Sequence, residues 1–287
     1  MRPPKGHEGH KPLSFKIGFW SDKEYHLDRM DLRDLSAAYF QYYAIAAYFV
    51  VAILSGATAF WGVLNGAAPV LPVIAAMLAT FFIYPVVWYL LHRFILHSKW
   101  MWKSKLTAGT WKRIHYDHHG DPNNLKVLFG ALYTTLPTVA LASMPVGYAL
   151  AGWVGALAAL ATSVVQTCVY EFFHCIQHLG YAPKWAWVRE IKKFHMAHHF
   201  HNETGNFGIT NLWWDKVLGT FYAGAAARPR SATVFNLGYD EEVAKSYPYV
   251  AKLTPNWPYN TNPVTRKRDE AAAAQAAQAS AGPVGAG

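Results

Sequence analysis

The stretch LSAAYFQYYAIAAYFVVAILSGATAFWGVLNGAAPVLPVIAAMLATFFIYPVVWYLLH, Leu35 to His92, runs for 58 residues without one Asp, Glu, Lys or Arg. A helix that crosses the hydrocarbon core of a bilayer takes about 20 predominantly apolar residues. The run therefore has room for two such helices and a turn, but not for three. NGAAP, Asn65 to Pro69, supplies the turn, so the stretch predicts a helical hairpin of Ala37–Leu64 and Val70–Leu91.

A second charge-free run, Val127 to Tyr170, covers 44 residues and repeats the pattern. It predicts helices over Val127–Tyr148 and Trp153–Phe173 with a turn around Gly152. The expected fold is all-α and integral to a membrane: four transmembrane helices in two hairpins, with a cytoplasmic helical cap. Three regions are expected, a cytoplasmic arm over residues 1–35, a membrane-embedded domain over 36–265 and a disordered tail over 266–287. The tail reads RKRDEAAAAQAAQASAGPVGAG, a low-complexity composition that cannot bury a core.

Composition agrees with lipid as the solvent: 53% of the chain is hydrophobic and 15% is charged, against roughly a quarter charged in soluble domains. All 26 Lys and Arg lie outside the two runs. Basic residues in short loops mark the cytoplasmic side, which places both termini and the segment between the runs there, in a bacterial inner membrane or the endoplasmic reticulum. Apolar sequence starts only after residue 35, so the first span is expected to do the targeting rather than a cleaved signal. The net charge of +9 follows helix ends instead of forming one patch. Attraction to anionic lipid accounts for it, and no nucleic-acid partner is expected.

Some residues read as structure. Cys168 and Cys175 do not have metal-pair spacing and are expected to be small buried residues. Trp100, Trp102, Trp111, Trp185, Trp187, Trp213 and Trp214 suit a belt at the headgroup level. Pro72, Pro85, Pro137 and Pro145 fall inside apolar spans, and a bend at Pro85 would re-aim the histidines that follow it.

Those histidines carry the chemistry. Of fourteen in the chain, ten fall into four groups: HRFILH (His92, His97), HYDHH (His115, His118, His119), HCIQH (His174, His178) and HMAHH (His195, His198, His199). On a helix, positions i, i+3 and i+4 point within about 60° of one another, so each HxxHH shows three imidazoles on one face and HCIQH shows two. HRFILH is spaced i, i+5, about 140° apart on an ideal helix, and needs a bend or a helix end to bring its pair together. Ten nitrogen donors suit two metal ions at about five each with a position left open. Imidazole favours Fe, Zn, Cu and Ni over Mg and Ca. His201 reads as a surface or supporting residue, and His7, His10 and His26 as non-ligands. Glu171, one turn before His174, is placed to orient it, because metal-bound imidazoles donate their second N–H to a carboxylate or carbonyl.

The order and spacing of these groups resemble the fatty acid hydroxylase superfamily of membrane, histidine-rich, di-metal oxygenases, and within it the fatty acid 2-hydroxylases. The likeness runs from Trp88 to Tyr222. It rests on HRFILH, HYDHHGDPNNLKVLF, YEFFHCIQHLGYAP and KKFHMAHHFHNETGNFGITNLWWDKVLGT, the last with Gly208, Trp214, Asp215, Gly219 and Thr220 at the family's distances. The resemblance implies that the ten histidines hold two iron ions, with zinc as an alternative occupant, and that Tyr170 and Glu171 contribute to catalysis. The family has Tyr-Asp where this chain has Tyr-Glu. It further implies O2-dependent insertion of hydroxyl into an unactivated C–H of a lipid within the bilayer, with carbon 2 of a fatty acyl chain, free or in a sphingolipid, favoured. Neither a haem-binding HPGG nor a dinucleotide GxGxxG occurs in the sequence. Electrons are therefore expected from a separate donor of ferredoxin or cytochrome b5 type with its reductase. Sterol, carotenoid or aminolipid hydroxylation and desaturation fit the same composition. A membrane metal transporter and a zinc-stabilised structural protein are the readings from other classes.

Overall fold

The computed structural model describes residues 19–21, 23–255 and 257–258; the expected disordered tail, His7 and His10 lie outside the described residues. Among the described residues every regular element is helical, with isolated bridges joining Trp20 to Tyr42 and His26 to Asn124.

Helix α1 (Leu32–Phe40) starts at Asp31, whose carboxylate accepts from Arg33 N and Asp34 N in a capping box. The single helix expected over Ala37–Leu64 is in fact two. Trp20 N donates to Gln41 O and Tyr43 N donates to Trp20 O, at 2.9 and 3.1 Å. These bonds hold Tyr42 extended between α1 and α2 (Tyr43–Leu64). After a turn that uses Gly66 at φ 71°, α3 (Val70–Leu91) has the expected limits. Pro85 sits inside α3 without ending it.

Short helices α4 (Lys105–Trp111), α5 (Asp117–Gly120) and α6 (Leu125–Leu128) follow. Helix α7 (Leu132–His178) differs from expectation at both ends. It begins five residues later than Val127 because residues 129–131 leave the helix, where Gly130 N donates to the Glu171 carboxylate at 3.0 Å. It also continues past Phe173 to carry His174 and His178.

Inside α7 the helical backbone is broken at Ala151 (φ −147°) and Gly152 (φ 57°), the second a left-handed value that favours glycine. The chain folds back there. Ser143 Oγ and Ser163 Oγ are 3.1 Å apart, whereas twenty residues of straight helix would separate them by about 30 Å. The crossing is tight enough that a Cβ on Gly155 would lie 2.2 Å from the carbonyl oxygen of Gly147.

Helices α2 and α3 pack mainly onto α7. Gly62 meets Trp153 and Val154, Tyr84 OH donates to Thr167 Oγ1, and Gln166 Nε2 donates to the carbonyl of Phe81. Three helical stretches, Tyr43–Leu64, Val70–Leu96 and Leu125–His178, are long and apolar enough to cross a membrane. Their outer faces leave Ile53, Leu71, Phe82 and Leu141 between 66% and 77% exposed, an apolar surface that lipid covers and water would not.

Helix α8 (Ala186–Phe200) and short helices α9 (Trp213–Val217), α10 (Glu241–Ser246) and α11 (Tyr249–Lys252) build the cap. Its core packs Trp102 and Trp111 with Tyr116 and Tyr239. Those two tryptophans are therefore not belt residues: Trp111 is fully buried and its Nε1 donates to Leu96 O at 2.7 Å. Trp100, Trp185, Trp187 and Trp213 are exposed, and Trp214 is half-buried. Cys168 and Cys175 are free and buried.

Candidate metal centre

Two turns are wider than an α-helix at the places where histidines leave it. After α3, His97 N donates to His92 O at 3.1 Å, an i to i+5 bond, and residues His92–Leu96 form a π-helical turn. The extra residue in that turn brings His92 and His97 onto one side, with their Nε2 atoms 3.3 Å apart. Such turns occur frequently at functional sites. This turn aims the pair. Lys112–Tyr116 makes a second π-helical turn ahead of α5 and carries His115.

The ten histidines fall into two groups of five, each with ring nitrogens within 4.8 Å of one another. The first is His92, His97, His115, His119 and His198; the second is His118, His174, His178, His195 and His199. All are buried except His97, which is half-buried. In the first, His115 Nε2 lies 2.8 Å from His97 Nε2. In the second, His195 Nε2 is 3.0 Å from Nε2 of both His174 and His178.

Each HxxHH contributes to both groups. His115 and His119 turn to the first and His118 to the second; on α8, His198 faces the first while His195 and His199 face the second. His201 and His26 belong to neither. His201 Nε2 pairs with the carbonyl of Arg228 at 2.7 Å.

The donor chemistry fits cations. Nδ1 of His92, His119 and His198 lies 2.6, 2.9 and 2.8 Å from the carbonyl oxygens of Phe207, Val234 and Gly205. A carbonyl only accepts, so Nδ1 carries the proton and the Nε2 lone pair is left for the centre. Nε2 of His119 and His198 and both ring nitrogens of His118 and His199 are buried without a hydrogen-bond partner. Buried polar atoms are rarely left so, and coordination would satisfy them. Burial also pushes the imidazoles of His115, His118, His195, His198 and His199 well below their ordinary range, and His119 down to about 3. They are neutral at pH 7, the state that binds metal.

The carbonyls are held by groups the sequence did not single out for this work. Asp215, fully buried, accepts from Phe207 N and Gly208 N, each at 2.8 Å, and from Thr220 Oγ1 at 2.7 Å. Burial raises its carboxyl above the ordinary range, against those bonds. A Cβ on Gly208 would lie 1.9 Å from the carbonyl oxygen of Asn211, so this close turn requires glycine. Glu203 accepts from Ser231 Oγ and Thr233 Oγ1, fixing the segment that presents Val234. Glu171, expected to orient His174, instead bonds to Gly130 N.

Both groups open onto one cavity of about 120 Å³. His92 and His115 reach it from the first group, and His118, His174, His195 and His199 from the second. Leu91, Ile95, Ile114 and Leu128 make it apolar, while Tyr170 and Glu171 line it beside His174. Tyr170 stacks on Trp88 with centroids 5.3 Å apart.

The family described as fatty acid hydroxylase matches residues 77–220, about half of the chain. Among curated proteins the chain is similar to the ceramide very long chain fatty acid hydroxylase SCS7 of Saccharomyces cerevisiae, 29% identical over 49% of this chain and 36% of that one. It is similar to the dihydroceramide fatty acyl 2-hydroxylase FAH2 of Arabidopsis thaliana, 32% identical over 50% of this chain and 59% of that one. To the human fatty acid 2-hydroxylase it is 26% identical over 50% of this chain and 38% of that one. The matched stretch thus spans less than two thirds of each relative's length. The solved structure of full-length scs7p, in which only the hydroxylase domain is visible, has a similar fold: TM-score 0.53 at 22% identity, covering 77% of this chain and 86% of that one.

Proposed function

The chain belongs to the fatty acid hydroxylase family, and from that premise we propose that it is an integral-membrane lipid hydroxylase acting on an unactivated C–H, carbon 2 of a fatty acyl chain, free or in a sphingolipid. The observation that carries the reading is a single apolar cavity lined by histidines of both five-membered groups. In this reading the ten histidines hold two iron ions, with zinc as an alternative occupant, and the metal pair supplies O2 activation. One oxygen atom enters the C–H bond. The other leaves as water, with two protons and two electrons from a separate donor of ferredoxin or cytochrome b5 type.

The chain's own residues bind, orient and exclude water. Leu91, Ile95, Ile114 and Leu128 surround the hydrocarbon beside the reacting carbon. Tyr170 and Glu171 face the polar end of the substrate next to His174, with Glu171 held in place by Gly130 N–H. Carbonyls at Gly205, Phe207 and Val234 keep three imidazoles in the tautomer that leaves Nε2 free.

The reading includes four spans in two hairpins, with both termini and the histidines on the cytoplasmic side. Support comes from the fold-back at Gly152, which halves α7 into two apolar helices, and from basic residues confined to one side of the runs. The reading also keeps the expected membrane-embedded domain of residues 36–265, of which residues 256 and 259–265 lie outside the described residues.

Expression in a host membrane followed by mass spectrometry of lipid extracts under labelled O2 tests the activity. A lipid gaining one labelled oxygen supports it. A loss of two hydrogens would make the protein a desaturase, and unchanged lipids together with metal uptake into vesicles would make it a transporter.

A further inference from the structure

His97 stands apart from the other nine histidines of the two groups: they are buried and it is half-buried. Its Nε2 belongs to the first group, 2.8 Å from His115 Nε2 and 3.3 Å from His92 Nε2. Where His92 and His115 line the metal cavity, His97 lines a separate cavity of about 250 Å³. The two cavities have no lining residue in common. A single imidazole therefore bridges the second cavity and the first group, on a side that a lipid in the metal cavity would leave open.

The accessible charge around His97 is positive. Arg93 and Lys99 line its cavity, and Arg228 Nη1 donates to Thr204 Oγ1, another lining residue, at 3.1 Å. Lys99 is exposed, whereas Glu203, the acidic residue of the lining, is buried with its carboxylate engaged by Ser231 and Thr233. Phe94, 54% exposed, adds an aromatic surface, with the Arg93 guanidinium 4.8 Å from its ring centroid. Aromatic and Arg side chains are enriched in protein interfaces, and a patch of one sign steers a partner of the other.

We infer that the face over His97 docks the electron donor, and that this donor is an electron-carrier protein with an acidic surface around its redox group. The inference rests on the hydroxylase reading, which requires two electrons per turnover, and adds to it where they enter. Electron transfer slows steeply with separation, so the imidazole edge nearest to solvent is the favoured point of entry. Lys99 steers the carrier, and His97 is the bridge. A carrier seated here delivers electrons while lipid occupies the other cavity.

Wild type, Lys99→Glu and Lys184→Glu in nanodiscs test this; Lys184 is exposed just before α8 and lines no part of the cavity. The probes are two soluble carriers of negative net charge, a plant-type ferredoxin and the haem domain of a cytochrome b5. Binding is read on metal-free protein, and the rate of reduction on iron-loaded protein without oxygen. For at least one carrier, Lys99→Glu should weaken binding and slow reduction by roughly fivefold or more at low salt, with the effect fading as salt rises, while Lys184→Glu matches the wild type. A carrier whose acidic patch is reversed to lysine should bind Lys99→Glu better than it binds the wild type, which misfolding would not produce. Carbodiimide should join Lys99 to a carboxylate of the carrier. The inference is overturned if neither carrier binds the wild type, or if Lys99→Glu binds and accepts electrons as the wild type does. A chemical reductant separates the two readings: hydroxylated lipid formed with it leaves the hydroxylase reading standing in either case, and none formed with it overturns that reading as well.

Discussion

His92 Nδ1 lies 2.6 Å from the carbonyl oxygen of Phe207, and the backbone N–H of that same Phe207 is bound by Asp215 at 2.8 Å. Asp215 also accepts from Gly208 N at 2.8 Å, the N–H of the peptide unit that carries this carbonyl, so the carboxylate acts on the imidazole through one peptide unit, without touching it. Asp215→Ala frees the 207–208 turn and should lower metal affinity of the first group by about 10- to 100-fold. Metal titration of the purified protein checks this, and affinity equal to wild type would remove Asp215 from the site's support.

Glu203 should act on His119 in the same manner through Ser231, Thr233 and Val234. Glu203→Ala is expected to weaken metal at the first group while leaving the second occupied, since among the described residues the hydrogen bonds of Glu203 run to Ser231 and Thr233, which lead to the first. Metal content per chain reads the result.

Segments HRFILH and HCIQH each serve one group only. His97→Ala should therefore retain metal mainly at the second group and His178→Ala mainly at the first, each with hydroxylated product abolished. Elemental analysis and lipid mass spectrometry together decide it; full activity in either variant would refute its place in the centre.

Stripping the metal should expose the cost of packing ten imidazoles together, nine of them buried. A chelator is expected to lower the midpoint of thermal unfolding, and iron to restore it. In the metal-free protein the folded pKa of His119 is lowered by burial from the ordinary 6.5 to about 3. Below 6.5 the unfolded chain binds the proton that the folded chain refuses. Stability from this group is therefore full above 6.5 and falls as pH drops toward 3, which unfolding across that range should record.

Gly155→Ala puts a methyl 2.2 Å from Gly147 O. The two halves of α7 would have to separate, at a cost of about 1–3 kcal/mol. A lower unfolding midpoint in detergent is expected, and an unchanged one would mean that the hairpin crosses elsewhere.

The apolar runs and histidine spacings were legible because they depend on side-chain type alone. Ten residues chosen by spacing are the ten that the fold gathers into two clusters. The widened turn at His92–Leu96 was legible only as a conflict, a pair spaced i, i+5 that an α-helix would separate. What holds the histidines was not legible, because Phe207, Gly205 and Val234 contribute main-chain oxygens that every residue type carries. The break at Tyr42 escaped for a related reason: backbone bonds to Trp20, more than twenty positions away, impose it. Trp102 and Trp111 read as interfacial by type, yet a nearby aromatic core claims them.

Neighbouring residues on α8, His198 and His199, serve different clusters, as His118 and His119 do on α5. Turning either helix about its axis to tighten one coordination sphere would drag the adjacent ring out of the other. Both helices are thereby locked in azimuth as well as in height, like a key cut on two edges, and the spacing between the two histidine clusters becomes a property of the backbone that no single side chain can retune.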